Sequence, residues 1–337
     1  MTKQVFTFRF LATTCILFAF GGTGEAAISS RLKVSGNASE PQPPSSKIIC
    51  ERNYTLTVRV RPLLFWISRP GVGGGRIAWS EESNGRKGVE LLIGSDPARA
   101  PMRINRWGYI SERVTGSSAE LLGVMTASEE QSIEQARAEL NRSTGTHVFK
   151  AIRGALEEGN VQSTVTWMRL SRDFTYRDLN ALLERLPPPD TPPRQMCLPP
   201  GTETGFLFSL KGMIRETVER YCQTGQTGAN RPAHRRYVYY NSLFELSLRS
   251  SRFLPEVELN GRPFHAILES EFEARNLSTG KTSRFSIACG TKVPLAEIPI
   301  RIIYRPRWWF EAELLLEGKN EAAQVSGGGI SWNPGSH

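Results

Sequence analysis

Histidine is scarce in this 337-residue chain, with only His147, His234, His265 and His337. That leaves little material for a histidine-based metal centre or general base. The common catalytic signatures are missing as well: there is no G-x-S-x-G elbow, H-E-x-x-H helix, C-x-x-C pair or G-x-x-x-x-G-K-[ST] phosphate loop. No cofactor or metal is expected, and the chain reads as a non-enzyme. Beyond residue 26 no long uncharged apolar run occurs, so no helical transmembrane span is expected after the leader.

The first residues do carry a pattern. Lys3 and Arg9 precede an apolar run from Phe10 to Phe20, and small residues lead to Gly24-Glu25-Ala26 before Ala27. This is the three-part order of a secretory signal peptide over 1–26, with an apolar segment too short to cross a bilayer. Export to a periplasmic or extracellular space is therefore expected. Cys50, Cys197, Cys222 and Cys289 follow the leader, an even number that predicts two disulfides in three possible pairings. The net charge of +9 is spread along the chain, dense only around Arg231 to Arg236, and reads as a solvated basic surface. No specific nucleic-acid partner is expected.

Residues 27–49 are rich in Ser and Pro and read as a flexible leader, 50–318 as the folded domain and the Gly-rich 319–337 as a disordered tail. Tyr54, Leu56, Val58 and Val60 alternate with Thr55, Thr57, Arg59 and Arg61, which puts one apolar face on a strand. Further strands are expected near 63–68, 76–79, 89–93, 103–110 and 121–125. A helical insertion is expected over about 127–189. It comprises a capping-box start at Ser128, a second helix over about 146–158 with Val148, Ile152 and Leu156 on one face, and a third from Thr175 with Asp178 and Leu179, Leu182, Leu183 and Leu186. A strand is expected over 161–171. The third helix ends against the Pro-rich segment 187–201, the best internal boundary.

Long alternating segments return after residue 240. Phe244, Leu246 and Leu248 form one face, and 266–274 with 285–289 form a hairpin around the turn at Asn276 to Lys281. Ile298, Ile300, Ile302 and Tyr304 share a face, Pro306 marks an edge or bulge, and Phe310, Ala312, Leu314 and Leu316 resume the pattern. The fold class is mainly β: an antiparallel meander curled into a barrel, carrying the helical insertion.

The stretch Ile298-Pro299-Ile300-Arg301-Ile302-Ile303-Tyr304-Arg305-Pro306-Arg307-Trp308-Trp309-Phe310-Glu311-Ala312-Glu313-Leu314, with the preceding hairpin, resembles the end of uncharacterised exported bacterial proteins. The resemblance implies a lipocalin-like antiparallel barrel and an exported compartment, and no activity. It covers the last third of the chain best.

Candidate chemistry is sparse. Gly71-Val72-Gly73-Gly74-Gly75-Arg76 has the wrong spacing for a dinucleotide and reads as a turn or bulge. Ser30-Arg31-Leu32-Lys33 lies in the leader without partner motifs. His265 and Glu269 would lie about 13 Å apart on a strand, too far for one metal. Cys222 with His234 would make a thiol site only if Cys222 were reduced. The Asn53, Asn141 and Asn276 sequons carry meaning only in a eukaryotic host. Arg305, Arg307, Trp308 and Trp309 are the candidate ligand site, with rings covering an apolar body and arginines an anionic head. Filling of the barrel core by those rings is the competing reading. The leading expectation is an envelope protein that binds a lipid-like or other amphipathic molecule, or supports assembly with an envelope protein. The alternatives are a secreted hydrolase with an unfamiliar site and a structural interaction module.

Overall fold

The computed structural model describes residues 46–318 except 62–65, 101–102, 104, 127–145, 172, 190–191, 228–232, 240–241 and 308–309. Residues 27–45 of the expected leader, the tail and the first expected helix lie outside the described residues, while Ser46 to Ile49 are already extended strand.

Among the described residues, fifteen strands form one sheet. They are β1 Ser46–Val60, β2 Ile67–Glu82, β3 Lys87–Ser95, β4 Trp107–Thr115, β5 Ser118–Thr126, β6 Thr146–Glu157, β7 Asn160–Ser171, β8 Arg194–Cys197, β9 Thr202–Glu203, β10 His234–Tyr239, β11 Ser242–Leu259, β12 Arg262–Asn276, β13 Thr282–Gly290, β14 Pro299–Arg307 and β15 Phe310–Leu316. The order is β8-β7-β6-β5-β4-β3-β2-β1-β15-β14-β13-β12-β11-β10-β9, a meander in which the first strand pairs with the last. Each ladder is antiparallel apart from the two-residue β9–β10 pair.

The sheet curls without closing. Val238 of β10 packs in one cluster with Ala119 and Leu121 of β5, Leu156 of β6 and Val161 of β7. Strands from opposite ends of the sheet thus share a small apolar core, while no ladder joins the end strands β8 and β9. The expected meander is present, and the barrel is open at this seam.

Among the described residues, two helical segments cover the sheet. A 3-10 turn, Tyr176–Asp178, runs into α1, Leu179–Leu183, at the helix start expected at Thr175, where Thr175 and Asp178 form a capping box. The longer α2, Phe206–Thr224, lies on the inner face, where Leu207, Met213, Ile214 and Val218 join Tyr54, Leu56, Phe244, Leu246, Ile267 and Phe272 in the main core. Each such fully buried large side chain contributes about 1.5–3 kcal/mol.

Two expectations need correction. The helix expected over 146–158 is strand β6, paired on both sides with β5 and β7. Val148, Ile152 and Leu156 are four residues apart, a spacing that shares a face in a strand as well as in a helix. The two-residue turn that would have decided it is Glu158-Gly159, both at positive φ (47° and 78°), which suits a tight hairpin. The expected disulfides are also not formed: Cys50, Cys197, Cys222 and Cys289 are free thiols on β1, β8, α2 and β13. The Sγ of Cys197 donates to Asn160 Oδ1 at 3.1 Å, and that of Cys222 lies 3.8 Å from the Thr291 carbonyl.

Candidate functional site

Apolar and polar residues alternate on β11 to β15, so the sheet presents a second face opposite α2. On β12 the residues Leu268, Phe272 and Ala274 are buried inward, while Glu269, Glu271 and Glu273 face out. Register places Arg284 beside Glu273, Ser286 beside Glu271, and Ala288 between Glu269 and Arg301. Arg252 pairs with Glu269 because a bulge between Leu248 and Ser250 shifts the phase of β11. Without that extra residue Arg252 would point inward, in phase with Leu248.

On this face a cleft of about 670 Å³ is lined by Arg59, Arg252, Arg284, Arg301 and Arg305, with Ser286 and Ile303 between them. The arginines are held by carboxylates in two Arg–Glu–Arg triads. Glu269 accepts from Arg252 Nε at 2.5 Å through Oε2 and from Arg301 Nη2 through Oε1. Glu311 accepts from Arg59 Nη1 at 2.9 Å through Oε1 and from Arg305 Nε at 2.5 Å through Oε2. Glu313 takes the other Arg59 nitrogen at 2.7 Å, and Glu273 accepts from Arg284 Nε at 2.8 Å. The Glu269 carboxyl is raised by burial, but the hydrogen bonds and charges of Arg252 and Arg301 outweigh this and lower it below the usual range.

The geometry leaves the arginines half engaged. Glu269, Glu273 and Glu311 keep 11%, 14% and 4% of their side-chain surface, whereas Arg252, Arg284 and Arg305 keep 68%, 59% and 58%. A guanidinium carries five N–H donors in a fixed fork, so one or two bonds to a carboxylate leave the remaining donors available. Exposed ion pairs contribute only about 0–1 kcal/mol to folding. Stability alone is therefore a weak reason for three arginines aligned on one cleft.

Of the expected ligand residues, Arg305 lines this cleft and Arg307 ends β14. Trp308 and Trp309 lie outside the described residues. Pro306 falls at the register irregularity between Tyr304 and Arg307, where β14 turns into a hairpin with β15 rather than continuing as one bent strand. Arg252, Arg284 and Arg301 were missed: Arg284 and Arg301 sit in alternating segments where a charge marks the outward face, whereas Arg252 faces out only because of the bulge in β11.

The other expected chemistry disperses. His234 and His265 are exposed, and His265 Nδ1 lies 3.6 Å from Glu256 Oε2 on the β11–β12 hairpin. No group of three His, Cys, Asp or Glu suited to a metal occurs among the described residues. The glycine-rich run lies within β2 opposite the register jump between Leu56 and Val58, the bulge its composition suggested. The Tyr176 ring rests on the neighbouring backbone of β3, since a Cβ on Gly94, the partner of Gly74, would meet it at 2.4 Å.

One buried acid stands apart from the cleft. Glu112 of β4 is fully buried and accepts from the N–H groups of Leu207 at 2.8 Å and Phe208 at 3.0 Å, capping α2 from across the fold. Burial pushes its carboxyl up to about 7, against the lowering effect of those backbone bonds. Gly205 makes room, because a Cβ there would sit 2.4 Å from the carboxyl carbon. α2 itself was overlooked in the sequence, although Phe206, Met213, Thr217 and Tyr221 have helical spacing and Gly225 closes it at φ 67°.

No family model matches this sequence, and no curated protein matches it. Among solved structures, the chain is similar to a beta-barrel-like protein of the domain of unknown function DUF1849 from Brucella abortus. The identity is 9% and the TM-score 0.41, over 79% of this chain and 95% of that one.

Proposed function

We propose that this protein is an exported, non-enzymatic component of the cell envelope that holds an amphipathic anion in the arginine-lined cleft of β11 to β15. The observation that carries the reading is the set of guanidinium groups pinned along one edge by low-exposure carboxylates, with their remaining donors at an open cleft. Guanidinium forks held in place lose less freedom on meeting a carboxylate or phosphate, which favours binding. The inner face argues for the outer one as the binding surface, because α2 packs Met213 and Ile214 into the concave core. The secretory pattern of residues 1–26 supplies the compartment.

The test is calorimetric titration of the protein with decylphosphonate in low salt. Saturable binding is expected, weakened by about tenfold or more in the R252Q/R284Q/R305Q variant, with little change in melting temperature. Absence of saturable binding, or equal binding by the variant, overturns the proposal.

A further inference from the structure

On the reading just given, we infer that the ligand carries two anionic groups about 13 Å apart, joined by an uncharged middle. The cleft has two cationic ends. One is a row across four strands, Arg252, Glu269, Ala288 and Arg301, with both arginines on one carboxylate. The other holds Arg284 on Glu273, and Arg305 with Arg59 on Glu311. Arg301 and Arg305 are four residues apart on β14, as Glu269 and Glu273 are on β12, which is about 13 Å along a strand.

Between them runs a row without a cation. Glu271 pairs with Ser286, Ser286 with Ile303 and Ile303 with Glu313. Glu271 borders this row at the cleft, Glu313 is buried against Arg59, and the floor is a hydroxyl and an aliphatic side chain. A third anion placed there would meet like charge, whereas a neutral chain or hydroxylated ring would meet Ser286 and Ile303. The alternation cation, neutral, cation along the strand direction thus selects a bis-anion over a single anionic head, and does so partly by repulsion.

The experiment compares three probes by calorimetry: decylphosphonate, α,ω-decane bisphosphonate and α,ω-butane bisphosphonate. The decane bisphosphonate is expected to bind about tenfold or more tightly than decylphosphonate, because its second group binds at a high effective concentration. The butane bisphosphonate is too short to reach both ends and is expected to show no such gain. Arg301→Gln and Arg305→Gln should each reduce the decane bisphosphonate to the affinity of the single-headed probe. Arg252→Gln, in the same row as Arg301 and more exposed, serves if Arg301→Gln does not fold. Equal affinity for the single- and double-headed decyl probes, or a gain that survives these substitutions, overturns the inference. If decylphosphonate binds in an arginine-dependent way without any two-headed gain, the cleft stands and the two-ended ligand falls. If neither probe binds, both fall.

Discussion

The outer face of the sheet is finished in two ways. Over β3 to β7 it is apolar: Leu92, Trp107, Tyr109, Val124, Phe149, Ala151 and Met168 lie under Leu179 and Leu182 of α1. Over β11 to β15 the equivalent positions carry arginines and glutamates joined across strands. The strands themselves obey the same alternation in both halves. What differs is whether a covering element removes that face from water, and the side chains follow.

The contrast is sharpest in stability. Phe149→Ala, beneath the covering helix and stacked on Trp107 at 4.6 Å, is expected to cost about 3–5 kcal/mol in urea unfolding. A loss below about 1 kcal/mol would mean that α1 does not seal this face. Glu112→Ala comes next, at about 2–3 kcal/mol, because it strands the buried N–H groups of Leu207 and Phe208. Glu112→Gln, which keeps an acceptor oxygen, should recover part of that loss.

The two carboxylate environments, Glu112 buried and Glu269 partly exposed, also predict opposite limbs of a pH–stability curve. Folding raises Glu112 from 4.5 to about 7, so the native state binds the extra proton in that window. Its contribution is full below pH 4.5 and is lost as pH rises through 7, on the order of 3 kcal/mol. Glu269 is lowered by Arg252 and Arg301, so its contribution is present above 4.5 and is lost as pH falls through the depressed value. Urea midpoints measured across this range should lose only the upper limb in Glu112→Gln and only the lower limb in Glu269→Gln. Smallest of all is Arg284→Ala, expected to leave the urea midpoint almost unchanged because its pair with Glu273 is exposed. A larger cost in chemical denaturation would make the arginine lattice structural and weaken its assignment as a binding surface.

Much of the fold was legible because period two is a local signal. The alternations of β1, β11 and β12, the turn at Asn276 to Lys281 and the helix start at Thr175 all appear where the pattern puts them. Strand β6 was misread because a four-residue apolar spacing satisfies both periods. The thiols were read as disulfides from their even count, but pairing depends on which strands the sheet brings together. Arg305 was singled out beside aromatic neighbours in sequence. Arg301 lies four residues before it on the same strand, but Arg252 and Arg284 come from β11 and β13, and nothing local links those two to it.

The chain's own order of residues determined that it would form long strands with one water-shunning face, since that depends only on side chains two positions apart. The tertiary structure decided that Arg252 faces outward, through one extra residue in β11, and that Arg252 and Arg301 share Glu269. It also decided that an acid on β4 would cap a helix nearly a hundred residues later. Register and curl set these meetings, and both are properties of the assembled sheet rather than of any segment within it.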